Sequence, residues 1–193
     1  ANPYAEVNWA THVDLETGRP VLTDLYERFL AGEEVSIMPS RGSNAVPIAF
    51  NPNTGLVYTS SWNVPRIQKI IPQELVLGRD YRGVASRRPQ FEPGALLGHF
   101  VAINPLTGAK TWEVPLIDFP SSAGTLATGG GLIFTGKLTG EFLALDEAPG
   151  ETLWQFKTGS SVNSTAITYT HNGQQYVSVA SGLGGLLANR YAR

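Results

Sequence analysis

Phe100-Val101-Ala102-Ile103-Asn104-Pro105-Leu106-Thr107-Gly108-Ala109-Lys110-Thr111-Trp112 and Phe142-Leu143-Ala144-Leu145-Asp146-Glu147-Ala148-Pro149-Gly150-Glu151-Thr152-Leu153-Trp154 align without a gap at a spacing of 42 residues. Each copy reads as an alternating strand, a turn opened by Asn or Asp and closed by glycine, and a strand ending in tryptophan. The Asn or Asp side chain folds onto the backbone two residues on, and glycine takes the positive φ that closes the turn. A tryptophan at fixed phase is large enough to pack on a neighbouring repeat.

A second repeated element precedes these hairpins. Pro47-Ile48-Ala49-Phe50, a turn from Asn51 to Gly55, and Leu56-Val57-Tyr58-Thr59-Ser60 form one copy. Gly124 to Ala127, a turn at Gly129-Gly130-Gly131, and Leu132-Ile133-Phe134-Thr135-Gly136 form the next. Ser164 to Tyr169, a turn near Asn172-Gly173, and Tyr176 to Ala180 form a third. One unit is thus four short strands in 42 residues, which is the pattern of a β-propeller blade. An antiparallel sandwich also has short strands and frequent turns. The matched phase of glycine and tryptophan favours the propeller.

At the N-terminal side, Asp14 and Gly18 repeat the spacing of Asn104 and Gly108, so Trp9 to Val21 reads as a hairpin finishing an earlier blade. The chain therefore begins late in one blade, completes two, and stops midway through another. A closed ring needs at least about four blades, so the 193 residues read as part of a longer protein. Ala1-Asn2-Pro3-Tyr4 shows no targeting signal, and both ends read as cuts.

The 21 glycines and 13 prolines fit such dense turns, and 42% hydrophobic residues exceed what a disordered chain carries. With no cysteine, this segment has no disulfide, thiolate metal site, cysteine nucleophile or C-x-x-C-H haem attachment. A formal charge of −2 gives no basic footprint for nucleic acid. No apolar run approaches the ~20 residues of a membrane helix.

Two stretches break the repeat. Leu22, Leu25, Tyr26, Phe29 and Leu30 share one face of a helix, with Thr23 or Asp24 to cap it and Gly32 to stop it. The stretch from Trp62 to Gly98 is an insertion within one blade, carrying Arg66, Lys69, Arg79, Arg82, Arg87 and Arg88. It reads either as cover for a site or as a solvated excursion.

No stand-alone catalytic motif is present: no H-E-x-x-H, no G-x-S-x-G, no phosphate-binding loop and no calcium loop of EF-hand type. His12, His99 and His171 are scattered and read as solvated turn residues. Asn163-Ser164-Thr165 is a formal glycosylation sequon of the kind that arises by chance. Three segments of small residues adjoin strand ends: Gly42-Ser43-Asn44-Ala45, Ser121-Ser122-Ala123-Gly124, and Ser181-Gly182-Leu183-Gly184-Gly185-Leu186. Such residues let backbone approach a flat ligand near a propeller axis. On spacing alone, the reading as ordinary blade-connecting turns is favoured.

Asn8 to Asp14 with Thr17-Gly18-Arg19-Pro20-Val21 resembles the quinoprotein alcohol dehydrogenases, in particular the branch acting on ethanol and related alcohols. Pro47 to Tyr58, Ala123 to Thr128, Leu132 to Gly136 running into Gly140, and Ser181 to Gly185 match in the same order. The resemblance spans nearly the whole chain and covers the C-terminal third of a family member. It implies that residues 1–193 are the C-terminal portion of a single all-β domain. That domain is an eight-bladed β-propeller with tryptophan docking motifs, of which about three to four blades stand in this chain.

The resemblance also implies a periplasmic enzyme oxidising a primary or secondary alcohol to aldehyde or ketone. Its cofactors would be pyrroloquinoline quinone (PQQ) and a calcium or lanthanide ion, and its electron acceptor a cytochrome c. Asn44 matches the family asparagine beside the quinone. Ala45 and Ser122 stand where the family usually has tryptophan, as does Leu186 relative to methanol-oxidising members, and Ser43 replaces a common lysine. With Gly182 and Leu183, residues Asn44, Ala45, Ser122 and Leu186 form the expected cofactor wall. The metal ligands, the aspartate base and the family's disulfide would lie in the N-terminal remainder, so no catalytic or metal-binding residue is assigned here. The helix at 22–31 matches no family landmark. A non-enzymatic scaffold similar to the outer-membrane barrel-assembly lipoprotein is the alternative, and the missing tryptophans lean toward it.

Overall fold

The computed structural model describes residues 4–43, 46–117 and 123–184. Two four-stranded antiparallel sheets form its centre. The first runs β4 (Ala49–Asn51), β5 (Leu56–Trp62), β8 (Leu96–Ile103) and β9 (Lys110–Ile117); the second runs β10 (Leu126–Ala127), β11 (Leu132–Gly136), β12 (Glu141–Asp146) and β13 (Thr152–Lys157). The second is a meander of sequential neighbours, and the first is the same meander interrupted between β5 and β8 by the insertion; each is the blade that the 42-residue unit describes. A hairpin of β1 (Ala10–Val13) and β2 (Pro20–Leu22) precedes them, and one of β14 (Ile167–His171) and β15 (Gln174–Ser178) follows.

Both tryptophan-bearing strands run further than their repeat suggests. Trp112 and Trp154 each stand third in their strand, and alternation continues through Val114 and Leu116 in β9 and through Phe156 in β13. The tryptophan is thus a mid-strand anchor rather than a strand end. Trp112 donates its indole Nε1–H to the Glu147 carbonyl at 2.8 Å, in the turn between β12 and β13 of the second blade. A methyl group at Gly150 would lie 2.6 Å from the Trp112 ring. That is tryptophan docking between blades. Tyr58, Phe100, Ala102 and Leu116 of one sheet and Ile133, Leu143 and Leu145 of the other bury together at this interface.

The helix α1 (Asp24–Leu30) is shorter than its apolar spacing suggests. Thr23 stands at the N-cap, but its hydroxyl donates to the Asn8 carbonyl at 2.9 Å and does not cap the helix. Gly32 stops the helix as expected, at φ 85°. Of the expected face only Leu25 and Phe29 are half-buried, while Leu22, Tyr26 and Leu30 are exposed. The face lines an open apolar cavity with Trp9 and Ile37.

The insertion is ordered. Its strands β6 (Arg66–Ile70) and β7 (Val84–Arg87) pair with each other and with β3 (Val35–Ile37) in the order β3-β6-β7. The repeat gave no sign of this third sheet.

Candidate functional site

The end of β5 is where the small-residue segments meet. The Ser43 hydroxyl donates to the Ser60 carbonyl at 2.5 Å and accepts from the Thr59 hydroxyl at 3.2 Å. The Ser60 hydroxyl donates to the Ala123 carbonyl of the second blade at 3.3 Å. One short stretch of β5 therefore ties the residue before Asn44 to the residue after Ser122. Thr59, Ser60 and Ser61 are all buried, so these bonds are shielded from water.

The next residue extends the junction. The Trp62 amide donates to the Gly42 carbonyl at 3.0 Å, and its side chain is buried with Val64, Leu97 and Leu138. Leu183 packs on that same cluster. The Gly182 amide donates to the Ser161 carbonyl at 2.8 Å. The third segment thereby reaches the same place as the first two. Of the six expected wall residues, Gly182 and Leu183 are described; Asn44, Ala45, Ser122 and Leu186 lie outside the described residues.

The structure adds residues that spacing did not single out. The guanidinium carbons of Arg41 and Arg88 lie 5.3 and 5.9 Å from the centre of the Trp62 ring, within cation–π range. Tyr4, Trp9, Pro39, Arg41 and Gly42 line a cavity of about 290 Å³ beside the Asn44 segment. Arg41 stands three residues before Asn44, and its proximity to a glycine-rich strand end was the available signal. Among the named groups of this wall there are donors, acceptors and guanidiniums but no carboxylate. These groups suit an anionic or polar flat molecule.

His99 corrects the expectation of three solvated turn histidines. It lies within β8, only 8% exposed, with its Nδ1 3.4 Å from the side-chain Nδ2 of the equally buried Asn63. The reason is the register: His99 pairs with Ser61 in the central strand pair, where the side chain points into packed structure. His12 and His171 are exposed in β1 and β14. All three residues of the sequon are half-buried, and Thr165 presses against Gly124, where an added methyl would lie 2.1 Å from its Oγ1. Among the described residues no three His, Asp or Glu side chains stand together as a metal site.

Residues 97–177 match the family model for the β-propeller domain of glucose, ethanol and alcohol dehydrogenases, the PQQ domain. The quinoprotein ethanol dehydrogenase of Pseudomonas putida is 36% identical over 195 residues, covering 96% of this chain and 31% of its own. Nearly the whole chain is similar to one part of the propeller of quinoprotein alcohol dehydrogenases. A lanthanide-dependent methanol dehydrogenase of Methylorubrum extorquens is 35% identical, with 93% of this chain and 31% of the relative aligned. Among solved structures, a europium-containing methanol dehydrogenase superposes with a TM-score of 0.86 at 30% identity, over 98% of this chain and 34% of that one. The quinohemoprotein alcohol dehydrogenase of Comamonas testosteroni gives 0.81 at 28% identity, over 94% and 28%. The chain thus spans about a third of the length of the curated relatives it matches. These relatives carry dehydrogenase names, which favours the enzyme over the scaffold alternative.

Proposed function

We propose that the protein of which this chain is a part oxidises a primary or secondary alcohol to an aldehyde or ketone with PQQ, and that this chain supplies part of the propeller and of the cofactor wall. The observation that carries the reading is the junction at β5, where the flanks of Asn44 and Ser122 and the Gly182-Leu183 turn converge on Ser60 and Trp62.

The wall fits a flat tricarboxylate. Gly42 and Gly182 admit close backbone approach, Arg41 brings a permanent positive charge to the cavity that Gly42 lines, and Leu183 gives an apolar contact. Asn44 would donate its amide to a quinone oxygen or carboxylate, with Ala45, Ser122 and Leu186 completing the wall. When bound, the quinone supplies a two-electron acceptor and a calcium or lanthanide ion polarises its carbonyl. The ion's ligands and the aspartate base belong to the N-terminal remainder, the periplasm is the expected compartment, and a cytochrome c is the expected electron acceptor.

Reconstitution of the intact protein with PQQ and calcium or a lanthanide tests this. Retained quinone absorbance and alcohol-dependent dye reduction are expected, with Asn44→Ala losing quinone more readily. The 193-residue chain alone should not turn over; robust dye reduction by it would place a base within it and overturn the assignment. The small side chains at Ala45 and Ser122 favour an alcohol larger than ethanol. A substrate scan of the intact enzyme that ranks methanol and ethanol first would sink that part.

A further inference from the structure

We propose that the cavity between residues 4–9 and 38–42 binds a carboxylate carried on an aromatic ring, with Arg41 and Tyr4 as its polar contacts. Tyr4, Val7, Trp9, Pro39, Arg41 and Gly42 are among the residues that line it, and it measures about 290 Å³. An apolar cavity of about 150 Å³ already holds benzene, so one ring with a short substituent fits. Mostly apolar walls with a few placed polar groups are the usual make-up of a small-molecule site.

Among the described lining residues Arg41 carries the one charge, and Glu6, two residues from Tyr4, is not in the lining. Arg41 is half-buried and enters no ion pair among the described residues. Its guanidinium lies over the Trp62 ring, 5.3 Å from the centre. A stack of that kind uses the face of the guanidinium and none of its five N–H donors. A carboxylate matches those donors in pairs. The Tyr4 hydroxyl adds a donor at the same end: a methyl group on Gly42 would lie 3.5 Å from its oxygen, so the hydroxyl stands beside the residue that follows Arg41. Among the described residues that hydroxyl makes no hydrogen bond.

The walls are set in advance of binding. Asn8 ties one to the other: its amide donates to the Met38 carbonyl at 3.1 Å, its Oδ1 accepts from the Met38 amide at 2.8 Å, and its Nδ2 donates to the Ser36 carbonyl at 2.7 Å. Arg41 is held on both sides. The Ser40 amide donates to the Val64 carbonyl at 2.8 Å, and the Gly42 carbonyl accepts from the Trp62 amide at 3.0 Å. Preordering of this kind lowers the cost of binding. The carboxylate can belong to a separate aromatic acid or to the alcohol that is oxidised; only the second source rests on the dehydrogenase reading.

The test is titration calorimetry of the intact protein with benzoate, acetate and benzyl alcohol, before and after loading with PQQ, at constant ionic strength. Saturable benzoate binding is expected in both states. Acetate, which lacks the ring, and benzyl alcohol, which lacks the charge, should each bind about tenfold more weakly. Arg41→Gln should weaken benzoate about tenfold, and Arg41→Lys less, since it keeps the charge and loses the fork. Tyr4→Phe removes one oxygen from an exposed side chain; it should melt like the wild type and weaken benzoate about threefold. Oxidation of 4-(hydroxymethyl)benzoate in preference to benzyl alcohol, with the preference lost in Arg41→Gln, identifies the alcohol as the source. Benzoate binding without that preference identifies a separate acid. Absence of benzoate binding, its loss on loading with PQQ, or its indifference to both Arg41→Gln and Tyr4→Phe overturns the site. Protein that binds benzoate and retains no PQQ would count against the dehydrogenase reading and leave this site standing.

Discussion

At the scale of single residues, one turn is written four times. Asp14, Asn51, Asn104 and Asp146 each accept, through the side-chain oxygen, the amide two residues on, at 2.8, 3.0, 2.9 and 2.9 Å. Gly18, Gly55, Gly108 and Gly150 close these turns at φ between 68° and 76°. Backbone amides of Glu16 and Thr17 hold the Asp14 carboxyl below its ordinary value of 3.8. A depressed folded pKa gives stability that is present above about pH 4 and is lost as pH falls through the folded value. Asp14→Asn keeps the turn, as Asn104 does, and removes that titration. Thermal melts of the two proteins should therefore differ more at neutral pH than at pH 3. Gly150 has a second duty, because an added methyl there would strike Trp112, whereas nothing lies within 4 Å of the same position at Gly18. Gly18→Ala should cost about 1 kcal/mol for backbone strain alone. Gly150→Ala should cost about 2–3 kcal/mol, since overpacking adds to the strain; denaturant midpoints of the intact protein give both.

At the scale of elements, the helix end tests local chemistry. The Gly32 and Glu33 amides donate to the Phe29 and Arg28 carbonyls at 3.0 and 3.1 Å, a Schellman closure that needs the positive φ of Gly32. Gly32→Ala should cost about 1 kcal/mol and speed hydrogen exchange at residues 32 and 33 before any change in the blades. This stop signal was legible because it is local, as were the blade strands, whose phase is set by turns a few residues long. The start of the same helix was not legible in full: Thr23 had the right side chain, but the Asn8 carbonyl, 15 residues away, takes its hydroxyl. The sheet β3-β6-β7 escaped for the same reason. Val35-Ser36-Ile37 is three residues with no repeat copy, and its partner begins 29 residues later at Arg66. Of the wall, the small residues could be read and their family match stated, yet Trp62, Arg41 and the burial of His99 depend on pairings across 20 to 40 residues that no spacing rule encodes.

At the scale of the whole molecule, the blades meet in two different ways at one equivalent position. The repeat aligns Ser60 with Gly136, each at the same place in its blade, where the entry of the following blade crosses. At the second crossing a methyl on Gly136 would lie 2.2 Å from a Val162 methyl, so glycine is required for valine to enter. At the first crossing, among the described residues, serine stands on the strand and Ala123 of the following blade lies against it, its carbonyl accepting from the Ser60 hydroxyl. Ala123 and Ser60 are both fully buried, so neither can yield outward. Ala123→Val alone should therefore destabilise the intact protein by about 1–3 kcal/mol through overpacking. Ser60→Gly alone loses the buried hydrogen bond to the Ala123 carbonyl, about 1 kcal/mol, and gains backbone freedom in the unfolded chain. Together they recreate the Gly136–Val162 pair, and the double variant should be more stable than the sum of the single losses by at least about 1 kcal/mol. A strictly additive cycle, measured by denaturant unfolding, would show that the two blade crossings are not equivalent in packing. The same double variant separates scaffold from wall. With packing restored but the tie from Ser60 to Ala123 gone, the fold should persist while quinone is retained less well, because Ala123 adjoins Ser122 in the proposed wall.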